Sequence, residues 1–315
     1  MHAAHRIASL LPAATEIVAA LGDCGRLVAI SHECDYPPEV AHLPRITASA
    51  LDRDAASADI DAAVRRLSES GNPVFMLDAD DVVRLAPTVI LTQSLCDVCA
   101  VSEGDVRDIA SLVSPAPTVI PLTGTTLEGI RADITRVGAA IGRVHEAAML
   151  LDDLAQRMHA VHETLESARA PRPRVAVIEW LDPLFAAGHW TPELVRRAGG
   201  VDVLASPGAH SERVSLDRVR DAQPDIVLFA PCGFDVVRAA REARVLLDTE
   251  EWTWATNVES WAIDGNALTS RPGPRVADAV RVMASIFAPS LFEAAPSHYA
   301  LQLRSGSRPA WSEAP

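Results

Sequence analysis

Residues 146–168, EAAMLLDDLAQRMHAVHETLESA, hold neither glycine nor proline. Ala147, Leu150, Leu151, Leu154, Met158, Val161 and Leu165 recur there at spacings of three and four, which puts them on one face of an α-helix. Pro171 and Pro173 end the pattern, because proline brings no N–H and crowds the preceding turn. At ~1.5 Å per residue such a helix spans some 35 Å, a strut rather than a flexible linker. Strand and helix signals run up to Gly142 and resume at Arg174, so the pattern predicts two lobes on either side of a rigid rod. The expected boundaries are 1–143 for the first lobe, 144–170 for the interlobe helix, 171–289 for the second lobe and 290–315 for a tail without periodicity.

Both lobes alternate short apolar runs with helical ones. In the first, 7–11, 27–31 (LVAIS), 88–92 (TVILT) and 118–121 read as strands, and Thr125 with Glu128 forms a capping-box pattern at the head of a helix. In the second, 174–178 (RVAVI), 225–229 (DIVLF) and 260–263 are strands, and 275–287 is the closing helix. DADDVVRLAPTVILT in one lobe is echoed by SLDRVRDAQPDIVLF in the other: acid, helical turn, proline, apolar strand. The fold class is therefore α/β, two lobes with parallel sheets bridged by one long helix and a ligand cleft between them.

Composition narrows the function. The chain of 315 residues carries 28 basic against 42 acidic residues, a formal charge of −14 that repels phosphate backbones, and nucleic acid is excluded as a partner. The apolar run near the N-terminus is broken by Pro12 and Glu16 and reads as a strand and a helix rather than a signal peptide. No segment reaches the ~18 apolar residues of a membrane span. With five cysteines, an odd number that fits a reducing compartment, this reading places the protein in the cytoplasm.

In open α/β sheets, ligands sit beyond the carboxyl ends of the strands. Those ends carry His32, Glu33 and Cys34, then Gln93 to Cys96, then Glu179 and Trp180, then Pro231 and Cys232. His32, Cys34, Cys96 and Cys99 have the donor types of a zinc site or of a soft contact to a cofactor metal; a single short C-x-x-C is equally a pair of small buried hydrophobes. His189 and Trp190 lie in the loop feeding a helix, either as ligand contacts or as a packing Trp beside a solvent-facing His. Arg271, just before the last helix, can pair with a ligand amide or carboxylate or be a solvated flanking charge. No nucleophile elbow, phosphate loop or HExxH motif is present, so no catalytic residue is assigned.

RIASLLPAATEIVAALG, RLVAISHECDYPPE, LAPTVILT, QPDIVLF and RPGPRVADAVRVMASIFAP together resemble the class III, helical-backbone substrate-binding proteins of ABC importers, which carry cobalamin, ferric siderophores and heme. The resemblance covers 6–289 and is closest to the cobalamin-binding branch, where the strand–PA-x-TE–helix opening and the DYPP loop occur together. It implies a monomeric binding protein, not an enzyme, that needs no cofactor and hands a small-molecule ligand to a permease without being embedded in the membrane. It would also imply a periplasmic or extracytoplasmic location. It places Asp80 and Asp217 at the importer-docking positions, where Glu is usual; the other reading is an ordinary acid near a helix N-terminus.

Five of six tryptophans fall in the second lobe, whereas Glu33 and Gln93 stand where the cobalamin pattern has aromatics. One polar, thiol-bearing wall and one aromatic wall suit a corrinoid or another metal-containing macrocycle, with contacts from His32, Glu33, Cys34, Gln93, Cys96, Trp180, Trp190 and Arg271. The alternative is a chelatase-like enzyme that uses His32 and Glu33 with Cys34, Cys96 and Cys99 around a metal such as zinc.

Overall fold

A computed structural model of the chain describes residues 5–94 and 101–306. It divides into two compact units at Asp153 and Leu154.

The first unit runs β1 (Ile7–Ser9), α1 (Pro12–Ala20), β2 (Leu27–Ile30), β3 (Thr47–Ser49), α2 (Ser57–Glu69), β4 (Phe75–Leu77), α3 (Ala79–Leu85), β5 (Val89–Gln93), α4 (Glu103–Ala110), β6 (Thr118–Leu122) and α5 (Leu127–Ile141). Its main sheet has the order β2-β1-β5-β6, with every neighbouring pair parallel. The middle strands show no polar alternation: β1 is buried throughout and β5 up to Gln93, as expected where helices cover both faces. β3 and β4 form a separate antiparallel pair that the sequence did not announce, since three residues are too few to show a period. The capping box shifts by one residue. Thr126, not Thr125, is the N-cap of α5 and accepts from Gly129 N, while Gly124 packs so tightly on Gly129 and Ile130 that a side chain there would meet backbone at 2.5 Å.

α6 (Val144–Ser167) then carries the chain from one unit to the other, unbroken through Leu154. Its fully buried positions are Ala147, Leu154, Val161 and Leu165, a narrower stripe than the seven apolar residues of the pattern. Its two halves are anchored separately. Ala147 presses on Gly138 of α5, and Arg143, just before the helix, joins Asp23 and Glu146 at 2.8 Å each. In the second half Leu165 fills the space that a side chain on Gly199 would occupy, and Arg157 pairs with Asp278.

The second unit continues with β7 (Arg174–Leu181), β8 (Leu184–Ala186), α7 (Thr191–Arg197), β9 (Val201–Asp202), β10 (Glu212–Arg213), α8 (Leu216–Asp221), β11 (Ile226–Phe229), α9 (Val236–Leu247), β12 (Glu259–Ile263), α10 (Gly265–Leu268), α11 (Val276–Phe287) and β13 (Ala300–Arg304). Its sheet has the order β10-β8-β7-β11-β12-β13, with β9 also on β7. β7, β11, β12 and β9 are parallel; β8, β10 and β13 are antiparallel additions. β13 corrects the expected tail: residues 300–304 pair with β12, and the Arg304 guanidinium donates to the carbonyls of Leu247 and Trp252. A five-residue edge strand in which only Ala300 is buried gives no period, so composition alone hid it. Trp252 anchors the core, 1 % exposed, stacked on Trp254 at 5.5 Å and tilted against Phe229 at 5.7 Å.

Candidate functional site

In the first unit, β2 and β5 flank β1, so the residues that follow them emerge at the same, carboxyl, end of the sheet. His32 and Glu33 are half-buried in the loop after β2, and Gln93 is the half-buried last residue of β5. The loop is held by contacts that the sequence gave no sign of. Arg45 donates through Nη1 to the carbonyls of Ser31, His32 and Cys34 at 3.2, 2.8 and 3.0 Å. Thr47 Oγ1 accepts from His32 N at 3.0 Å and lies 2.7 Å from His32 Nδ1. The ring rests 5.6 Å from that of Phe75. Burial, then the charges of Arg53 and Arg45, lower the His32 pKa to about 4, so the imidazole is neutral at pH 7. Its Nε2 is buried with no hydrogen-bond partner, as is Thr92 Oγ1 on β5.

Cys34 differs from its half-buried neighbours His32 and Glu33. It is fully buried, and its thiol lies 3.0 Å from Thr15 Oγ1, which in turn donates to Ser9 Oγ at 2.8 Å. That network ties α1 to β1 and the loop, the position of a core thiol. Cys96 and Cys99 lie outside the described residues.

In the second unit the corresponding strand end is aromatic. Trp180, at the end of β7, meets Phe234 edge-on at 5.4 Å, and the Arg238 guanidinium covers the Phe234 ring at 3.5 Å. Trp190 is the N-cap residue of α7 and only 7 % exposed. Beside it His189 adopts a left-handed backbone (φ 53°), locked by bonds from His189 N to Ala209 O and from Gly208 N to His189 O. Its ring lies 5.8 Å from Trp190 and 5.3 Å from His210, and burial with the His210 charge pushes its pKa down. His189 is thus half-buried between Trp190 and His210 rather than solvent-facing. Trp180 Nε1, Trp190 Nε1 and His189 Nε2 are all buried without a hydrogen-bond partner. Arg271, 3 % exposed in the segment between α10 and α11, donates to Asn266 Oδ1 at 2.8 Å.

The two acids expected at the docking positions both lie in the first turn of a helix, Asp80 in α3 and Asp217 in α8, and both are exposed. Asp217 also pairs with Arg220 at 2.8 Å. Among the described residues no three His, Cys, Asp or Glu side chains are grouped so as to hold a metal ion, which leaves the zinc and chelatase readings without a site there.

Residues 7–256 match the family profile described as periplasmic binding protein, and the chain belongs to that family. Within it the chain is a class III substrate-binding protein of the ABC-importer type, with curated relatives in the cobalamin-binding branch. The "Vitamin B12-binding protein" of Vibrio cholerae serotype O1 is 24% identical over 277 residues, covering 88% of this chain and 87% of the relative. Among solved structures, a periplasmic heme binding protein from Pseudomonas aeruginosa shares the fold with a TM-score of 0.71 at 17% identity, covering 96% of this chain and 99% of its own. The periplasmic vitamin B12 binding protein of Vibrio cholerae does so with a TM-score of 0.61 at 22% identity, covering 91% and 97%.

The role that follows is binding of a small molecule for a permease, not catalysis. The cytoplasmic assignment is overturned: the family is one of periplasmic binding proteins, and both solved relatives are periplasmic. It rested on residues near the N-terminus, which do form β1 and α1, but a strand and a helix there carry no information about compartment. Among the described residues no helix is long and apolar enough to cross a membrane.

Proposed function

We propose that the chain binds a corrinoid or a closely related metal-containing macrocycle, with first-unit contacts from His32, Glu33 and Gln93 and second-unit contacts from Trp180, Trp190 and Arg271, and presents it as a monomer to an ABC permease through Asp80 and Asp217. The observation that carries this reading is the set of buried ring nitrogens without partners at the strand ends: His32 Nε2, Trp180 Nε1, His189 Nε2 and Trp190 Nε1. Each costs about 1–3 kcal/mol if left unsatisfied, and native folds keep few such atoms. Flat rings that each bear one buried, unpartnered nitrogen fit a broad, flat ligand with a few hydrogen-bonding groups on its rim better than they fit a sugar or an amino acid.

The curated relative named for vitamin B12 and the solved relative named for heme both take macrocycles that carry their own metal. The test is tryptophan fluorescence during separate titrations with cobalamin, hemin and a ferric siderophore. Saturable quenching at one macrocycle per chain is expected, weakened at least tenfold by Trp190→Ala. Quenching by the siderophore alone would assign the site to that class instead, and a Trp190→Ala protein with unchanged affinity would remove Trp190 from it.

A further inference from the structure

The first-unit loop contains a proton count that decides what His32 can offer. Thr47 Oγ1 has one hydrogen and two lone pairs, and three groups surround it. It donates to Ser31 Oγ at 3.1 Å and accepts from His32 N at 3.0 Å. With Thr47 donating to Ser31, one lone pair remains for the imidazole nitrogen 2.7 Å away, which places the proton on His32 Nδ1. Ser31 and Thr47 are 2 % and 7 % exposed, which leaves little room for water to rearrange these bonds. Arg45 holds the loop on both sides of the ring, through the carbonyls of residues 31, 32 and 34. The segment bearing Arg45 runs alongside the end of β2, with Ile30 N bonded to Pro44 O and Ile46 N to Ile30 O. Phe75 backs the ring.

We infer that Thr47 and Arg45 are positioning residues of the binding site, which hold His32 with its proton on Nδ1 and turn Nε2 into a fixed lone pair that a metal centre or an N–H donor on the ligand can engage. The inference rests on the reading of the strand ends as the ligand wall. Nε2 is the buried, unpartnered atom of that ring, and the tautomer makes it a base rather than a donor. Neither Thr47 nor Arg45 need touch the ligand; they act through His32.

The tautomer is read directly by 15N NMR of histidine-labelled protein, with His32→Gln to identify the resonance. The wild-type spectrum is expected to show the Nδ1–H form, and Thr47→Val to move the population toward Nε2–H, whereas Thr47→Ser keeps it. In parallel titrations with hemin and with cobalamin, Thr47→Val and Arg45→Met are expected to lower affinity at least tenfold and Thr47→Ser to restore it. A change confined to hemin, which carries no N–H group, identifies the metal as the partner of Nε2, and a change confined to cobalamin identifies its amide N–H groups. An Nε2–H tautomer in the wild type overturns the inference, even if a variant fails to fold. So does a folded Thr47→Val protein that binds as the wild type does. A wild type that binds neither macrocycle defeats the functional reading, while the NMR spectrum still decides the tautomer.

Discussion

Arg6 and Arg174 perform the same task in the two units. Each stands at the start of a first strand and turns its guanidinium onto the end of the helix that precedes the next parallel strand: Arg6 on Leu85 O at 2.7 and 3.1 Å, Arg174 on Ala222 O at 2.7 Å and Gln223 O at 3.2 Å. The chain leaves those helices through Ala86, the C-cap of α3 (φ 42°), and Gln223, one residue past the C-cap of α8 (φ 46°), left-handed positions held by residues with a Cβ. Ala86→Gly and Gln223→Gly are each expected to stabilise the fold by about 0.5–1 kcal/mol in urea denaturation, because the strain is removed without loss of a contact. The echo of acid, turn, proline and strand was legible in sequence; the arginine clamp was not, since the two partners lie far apart along the chain.

Two titrating residues give opposite slopes of stability with pH. The unfolded His32 imidazole takes up a proton near its ordinary 6.5, whereas the folded one resists until about 4, so stability falls as pH drops through that window. Asp202 is the reverse: burial raises its pKa to about 6 from 3.8, so the folded state takes up the proton first and gains stability as pH drops between those values. Compared with wild type, His32→Gln should lose less stability between neutral pH and pH 4, and Asp202→Asn should lose more. Urea midpoints across that range measure both.

At the scale of elements, α6 carries the argument. Its periodicity and the lack of Gly or Pro made it readable in sequence to within two residues at the start and one at the end, because a helix of 24 residues repeats its pattern often enough to stand out. The elements that were missed, β3, β4, β8, β9, β10 and β13, have two to five residues each and take their structure from partners rather than from local pattern. Gly138 shows the tightness of the helix anchorage. A Cβ there would lie 2.6 Å from that of Ala147 and 3.0 Å from Arg143 O. Gly138→Ala should therefore cost about 1–3 kcal/mol, with the loss confined to the first unit in hydrogen exchange. In the second unit Trp252→Ala should cost about 3–5 kcal/mol, since it removes the ring that packs on both Phe229 and Trp254.

For the whole molecule, the α/β class, the two units and the membership of the substrate-binding family were open to inspection in the sequence, because motif order over most of the chain is a stronger signal than any single motif. The wall residues were only partly so. His32 and Trp180 are candidates by their place at strand ends and Trp190 by its place ahead of a helix; Cys34 looked similar in sequence but turns into the core toward Thr15, a direction set by packing. Compartment was misread, since it is not a property of the fold. If Asp80 and Asp217 meet basic sockets on a permease, Asp80→Arg with Asp217→Arg should abolish ligand delivery in reconstituted vesicles while leaving ligand affinity unchanged.

The proposed ligand is a macrocycle that brings its own metal. Isothermal titration of the purified chain with cobalamin, and separately with hemin, tests it most directly. The account predicts saturation at one ligand per chain with a dissociation constant in the micromolar range or tighter, about −8 kcal/mol or more favourable, for at least one of them. No heat of binding from either, in a protein whose circular dichroism shows it folded, would contradict it.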